Sequence, residues 1–216
     1  MSVTNNARYL LALHSSTKKL GVAVLDLTDE SNAIKSSVFD ADKQLSNNLF
    51  KYVDSLLAKK NWSKIARLAV ATGPGGFTGT RLTIVMARTL AQQINCQLDG
   101  ISSFSLMAPR LYKSLKPTER MNPFWIVESL QRRGIIGGQY QIVESQEKTK
   151  IQTIEIQKPL LLKNPQKLKP ALNAIDDVSQ DIKQLIKNCL DSFKEKKISR
   201  WQKIIPIYPT SPVDKF

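Results

Sequence analysis

The sequence is poor in the side chains from which metal and redox sites are usually built. It has two cysteines, Cys96 and Cys189, far apart and outside any CxxC pattern, and one histidine, His14. A structural zinc site takes about four such ligands, so no metal is expected, and the cysteines read as buried free thiols. No apolar run approaches the roughly 20 residues of a membrane span. The apolar run at residues 9–13 is shorter than the about 7–15 residues of a signal-peptide core. No membrane contact is expected, and the expected location is the cytoplasm. Acidic residues are also scarce, with 18 Asp and Glu against 32 Lys and Arg, a formal charge of +14. The excess is net +5 over residues 1–105 and net +9 over 106–216. Such a surplus suits an RNA or an acidic protein partner, and equally a Lys-rich solvated surface. Both readings stay open, because no RGG run, RNP motif or aromatic–basic alternation favours nucleic acid.

What is present is enough for a packed core: 216 residues, 42% of them apolar. Residues 9–13, 21–25 and 34–39 read as three antiparallel strands around turn-rich links. Residues 44–60 repeat Leu45, Leu49, Val53, Leu56 and Leu57 at helical spacing. A short strand is expected at 68–71 and a second helix at 81–94, with Leu82, Val85, Met86, Leu90 and Ile94 as its stripe. Next come a strand at 97–101 and a helix to 112 capped by Ser102 or Ser103. The basic stretch 113–122 carries Pro117, and a boundary is placed between domains 1–112 and 113–216. Strands are then expected at 124–127, 138–143 and 151–156, a loop at 159–170, an amphipathic helix at 178–196 and a final strand at 204–208.

Between the strand at 68–71 and the helix at 81–94 lies Thr72-Gly73-Pro74-Gly75-Gly76-Phe77-Thr78-Gly79-Thr80-Arg81. Glycines allow positive φ and close backbone approach, and Thr78 or Thr80 is placed to cap the helix. The exposed N–H groups at the helix start suit an anion. The segment is not a Walker A loop, since Gly79 is followed by Thr80 and Arg81 and not by Lys and Ser/Thr. It is not a dinucleotide fingerprint either, for want of a third glycine at position 78.

The Gly-Pro-Gly-Gly-Phe-Thr-Gly-Thr-Arg core closely resembles the TsaB (YeaZ) family, whose members carry Gly-Pro-Gly-Ser/Gly-Phe-Thr-Gly-Val/Leu-Arg ahead of a helix. Ile101-Ser102-Ser103-Phe104 and Leu11-Ala12-Leu13-His14-Ser15-Ser16-Thr17 are similar to two further family segments, so the likeness runs over residues 8–108. The resemblance implies an α/β fold of the reduced actin-like ATPase type (ASKHA, ribonuclease-H-like). It would have an N-terminal mixed sheet with helices and a smaller, divergent C-terminal α/β subdomain. It also implies a non-catalytic subunit in tRNA threonylcarbamoyladenosine synthesis. Such a subunit partners TsaD, which acts on tRNA, with TsaE joining the assembly and a homodimer as an alternative pairing. No cofactor is expected on the chain alone, and a nucleotide would sit, if anywhere, at the TsaD interface. The family pairs through the helices matched by 44–60 and 81–94, which puts Leu45, Leu49, Tyr52, Leu82, Val85, Met86, Thr89 and Leu90 at the partner interface. His14 stands where the family has an aspartate, and its neutral imidazole is a poor ligand for a hard cation. The family's Asp-Ala-Arg-type segment is matched only loosely by residues 127–133.

No catalytic residue is assigned. A two-metal nuclease needs several carboxylates, and only Asp26 and Glu128 lie near the expected core strands. Phe50 and Tyr52 widen the apolar stripe of the first helix beyond one face, which marks an interface. A direct tRNA-binding module and a residual ATP-binding protein are the alternatives to the docking subunit.

Overall fold

The computed structural model describes residues 8–15, 17–41, 44–131, 133–144, 151–163, 165 and 168–209. Two compact units emerge. One joins residues 1–101 to residues 177–206, and the other joins 102–176 to 207–216. This corrects the single boundary expected near residue 112. The last long helix belongs to the first unit, because its apolar face is needed to cover that unit's sheet.

In the first unit, β1 (Tyr9–His14), β2 (Lys19–Asp26) and β3 (Ile34–Asp40) form an antiparallel meander. β4 (Ile65–Ala71) and β5 (Gln97–Ile101) add to β1 in parallel, giving the order β3-β2-β1-β4-β5. That mixed sheet is the ribonuclease-H-like arrangement. Leu11, Leu13, Val22, Val24, Leu68 and Val70 alternate onto one face. There they pack with residues of α1 (Leu45–Leu56) and α2 (Phe77–Ile94). The other face is lined by the alternate positions, with the small Ala12, Gly21, Ala23 and Ala69 beside the buried Leu10 and Leu25. α4 (Val178–Lys194) crosses this strip, touching β1, β2, β3 and β4. A Cβ at Gly21 would lie 2.9 Å from side-chain atoms of Ile182 and Val178, so only glycine lets the helix sit this close. Ile182, Leu185, Ile186 and Cys189 are fully buried beneath it. Each of its aliphatic side chains contributes about 1.5–3 kcal/mol before ordering entropy is subtracted. Arg67 and Asp99, on β4 and β5, form a buried two-pronged ion pair with both contacts at 2.6 Å. A third guanidinium N–H donates to the Lys197 carbonyl at 2.8 Å.

The second unit is a four-stranded sheet, β8-β7-β6-β9. β6 (Phe124–Leu130), β7 (Gly134–Glu144) and β8 (Ile151–Leu161) are antiparallel, and β9 (Ala171–Asn173) runs parallel to β6. α3 (Ser103–Leu111) lays Phe104, Met107, Ala108 and Leu111 on Phe124, Ile126, Ile136, Tyr140 and Ile142. Ser102 caps α3, its hydroxyl oxygen accepting from Ser105 N–H at 3.1 Å. The same hydroxyl donates to Glu155 at 2.7 Å and lies 3.2 Å from the buried Tyr140 phenol.

Several boundaries differ from the sequence reading. The first helix stops at Leu56, and a 3-10 segment, Lys59–Lys64, follows it. β7 starts four residues before 138, at Gly134. The expected loop at 159–170 loses its first three residues to β8. Pro159 is tolerated there because it lies on an edge strand at a bulge, where the β7–β8 register slips between Gly137 and Gln139. Residues 204–208 form no strand. Pro206 lacks an N–H, and Ile204 packs under Gly100, where a Cβ would lie 3.0 Å from its Cγ2. Among the described residues, no helix is long and apolar enough to cross a membrane.

Candidate functional site

The glycine segment joins β4 to α2 at the edge of the first unit's core. β4 pairing continues one residue past its end, with Thr72 N–H donating to Ile101 O at 2.9 Å. Gly73 then turns the chain at φ +91, a conformation open to glycine and costly for other residues. Thr72, Gly73 and Pro74 are buried, and Gly75, Gly76, Phe77 and Thr78 are exposed. The helix begins four residues earlier than the sequence suggested, at Phe77, with Gly76 as its N-cap and no side-chain capping bond. The expected cap from Thr78 or Thr80 is therefore corrected: both lie inside the first turn. Thr80 is buried, and its hydroxyl donates to the Ser15 carbonyl at 3.2 Å. That bond ties the start of α2 to the end of β1. Gly79 permits the contact, because a Cβ there would stand 2.6 Å from Ser15 Oγ and 2.9 Å from Ser15 O. Arg81 lies over the Phe77 ring, 3.5 Å from its centroid, close enough for a cation–π contact. His14 is fully buried at the end of β1.

The expected interface residues divide into three groups. Leu45, Leu49 and Met86 are buried in the unit's own core. They fasten the helices to the sheet and are not surface, which corrects their place in the interface set. Leu82 and Leu90 are half-buried against the same core, and Tyr52 stacks on Phe39 of β3 with centroids 4.4 Å apart. Val85 and Thr89 are exposed. The outward row of α2 is Thr78, Arg81, Val85 and Thr89, spaced by three and four residues as one helix face requires. Val85, at its centre, is 61% exposed. α1 touches α2 and adds Phe50, 57% exposed, which stacks loosely on Trp62 at 6.0 Å. The sequence reading named Phe50 as surplus apolar surface. It placed Thr78 and Arg81 in the glycine segment and did not join them to Val85 and Thr89, although the row 78–81–85–89 has helical period.

Neither cysteine is activated as a nucleophile. Burial pushes the Cys96 thiol up to about 12 and the Cys189 thiol well above its ordinary value, so both are thiols at neutral pH. Among the described residues, no group of three or more His, Cys, Asp or Glu is placed to hold a metal ion.

A family model described as "TsaD: tRNA N6-adenosine threonylcarbamoyltransferase" matches residues 39–199, about three quarters of the chain. The chain belongs to the TsaD family. It is 30% identical over 101 residues to the "tRNA threonylcarbamoyladenosine biosynthesis protein TsaB" of Bacillus subtilis, covering 46% of this chain and 43% of that one. It is 31% identical over 106 residues to the "Uncharacterized protein MG208 homolog" of Mycoplasma pneumoniae, covering 47% and 53%. The chain thus spans about half the length of the curated relatives it matches. The fold of YeaZ from Pseudomonas aeruginosa superposes with a TM-score of 0.65, covering 93% of this chain and 99% of that one at 18% identity. The TsaB (YeaZ) likeness carried by the glycine segment therefore extends, at the level of fold, across nearly the whole chain.

Proposed function

We propose that this TsaD-family chain is a TsaB-like, non-catalytic subunit in tRNA threonylcarbamoyladenosine synthesis. It docks a TsaD transferase through the outward faces of α2 and α1. The observation that carries the reading is the row Thr78, Arg81, Val85 and Thr89, with a valine 61% exposed at its centre. Val85 buries little of its side chain within its own domain, and Phe50 on the adjoining α1 adds a second exposed apolar group beside the row. Covered by a partner helix, Val85 becomes an interface anchor. The glycine segment sets the angle of that helix. Gly73 turns the chain, Gly79 lets α2 meet Ser15, and Thr80 pins it there. The segment carries no lysine to reach phosphates, which favours a structural turn over a nucleotide cradle.

The test is assembly with the TsaD protein of the same organism, read beside threonylcarbamoyladenosine formation on tRNA. Docking predicts that Val85→Asp abolishes both, that the isolated chain hydrolyses no ATP, and that TsaE joins only when TsaD is present. A Val85→Asp protein that assembles and supports modification like wild type would overturn this reading.

A further inference from the structure

On α4 the acids and the cations are placed differently. Asp177 caps the helix, accepting from the Gln180 backbone N–H at 3.1 Å and from its side-chain amide at 2.7 Å, and Asp181 is buried. Lys183, Lys187 and Lys194 are all exposed. Steps of four and seven residues put them within about 40° of one another around the helix, in a row about 16 Å long. Asp191 is half-buried to one side of the row. Past the helix the chain turns at Lys196, with φ 52, and runs along the edge strand β5. It is fastened there: Ser199 N–H donates to Gln97 Oε1 at 2.7 Å, Ser199 Oγ to Leu98 O at 2.6 Å, and Arg67 to Lys197 O at 2.8 Å. Trp201 packs against the core beneath Arg88, 5.7 Å over its ring. This fixed strap exposes Lys196, Arg200 and Lys203. Its one acid, Glu195, pairs with Lys197 at 2.8 Å.

We propose that the basic ribbon formed by Lys183, Lys187, Lys194, Lys196, Arg200 and Lys203 binds the phosphate backbone of an RNA. The α4 lysines form a row, the strap that continues them is held in place, and few acids interrupt either part, which suits a polyanion with closely spaced charges. A membrane surface fits less well. An interfacial helix needs its apolar face free to enter the lipid, and here Ile182, Leu185, Ile186 and Cys189 are fully buried on the sheet. An acidic protein fits less well too, because a stable protein interface desolvates an apolar centre and this row of lysines offers none. The ribbon starts on α4, on the sheet face opposite α1 and α2, and ends past the β5 edge beside α2, where Trp201 lies beneath Arg88.

The test titrates a labelled tRNA transcript with the full chain at salt from about 50 to about 200 mM. The ribbon variant carries Lys183→Gln, Lys187→Gln, Lys196→Gln and Arg200→Gln. A control loses four exposed charges elsewhere, through Lys35→Gln, Lys51→Gln, Lys59→Gln and Lys60→Gln. The ribbon variant is expected to bind at least tenfold more weakly, with the slope of log affinity against log salt reduced by about 3. The control stays within about threefold of wild type, and the ribbon variant still docks TsaD. If the fourfold variant does not fold, the pair Lys183→Gln/Lys187→Gln is read in the same way, with a slope change of about 1.5. Three results would overturn the assignment: no tRNA binding by wild type at the lowest salt, equal weakening in ribbon and control variants, or capture of phosphatidylserine vesicles or polyglutamate with tRNA left unbound.

Discussion

Gly79 in the first turn of α2 lies directly against Ser15 at the end of β1, so near that a single added carbon would come within 2.9 Å of the Ser15 carbonyl. Backbone cannot give way as a flexible side chain can. Gly79→Ala is therefore expected to push the start of α2 off the sheet and to cost about 1–3 kcal/mol of stability, read by urea denaturation. Gly76→Ala is the contrast. Gly76 has φ −56 and ψ 120, which alanine adopts without strain, and its cost as an N-cap should stay below about 1 kcal/mol.

The Arg67–Asp99 pair predicts a larger effect. Both side chains are buried, and Arg67 also holds the Lys197 carbonyl. Removing the carboxylate alone strands a buried guanidinium. Asp99→Ala is expected to lose about 3–5 kcal/mol, whereas a joint Arg67→Met/Asp99→Leu protein should recover most of it. Chemical denaturation of the three proteins checks the ordering.

Two pH effects of opposite sign are expected. The Arg8 guanidinium, followed by the Thr28 hydroxyl and N–H, holds the Asp26 carboxyl far below the usual carboxylate range despite an opposing desolvation effect. Asp26 thus adds stability above its unfolded pKa of about 3.9, and this is lost as pH falls toward the folded value. Asp26→Asn should flatten the acid limb of the stability curve. The pair is partly exposed, at 45% and 24%, so salt should shrink the effect. Glu128 behaves conversely. Burial, and then the nearby Asp176 carboxylate, raise its pKa. Its protonated form suits the fold below the unfolded pKa of about 4.3, and that advantage disappears as pH rises through the folded value. Glu128→Gln should therefore be more stable than wild type at neutral pH and no more stable near pH 4, as thermal melts across pH would show.

Local sequence was enough for the elements marked by a compact apolar run or by a strong stripe. β1 and β2 are read from short apolar runs between turn-rich links and are buried on both faces, and α4 is read from apolar residues repeating at helical spacing. The start of α2 was hidden because glycine and threonine are poor helix formers. Those same residues, Gly79 and Thr80, are needed where the helix meets Ser15. The interface set was mixed for a related reason. The buried face of α2 is built from Thr80, Thr83, Ile84, Ala87 and Ala91 as well as Met86, so its larger apolar residues do not mark one face. The return of α4 to the first sheet had no local signal. It follows from a sheet face on which Ala12, Gly21, Ala23 and Ala69 lie together beside Leu10 and Leu25, and which becomes a helix-binding strip only once the strands are paired.

The central claim is that the outward row of α2 docks TsaD, and the most direct measurement is the affinity of TsaD for Val85→Asp beside wild type. The side chain is exposed, so the variant should fold with an unchanged melting temperature. Docking predicts at least a tenfold loss of affinity, about 1.4 kcal/mol or more. A folded Val85→Asp protein that binds TsaD with wild-type affinity would contradict the account.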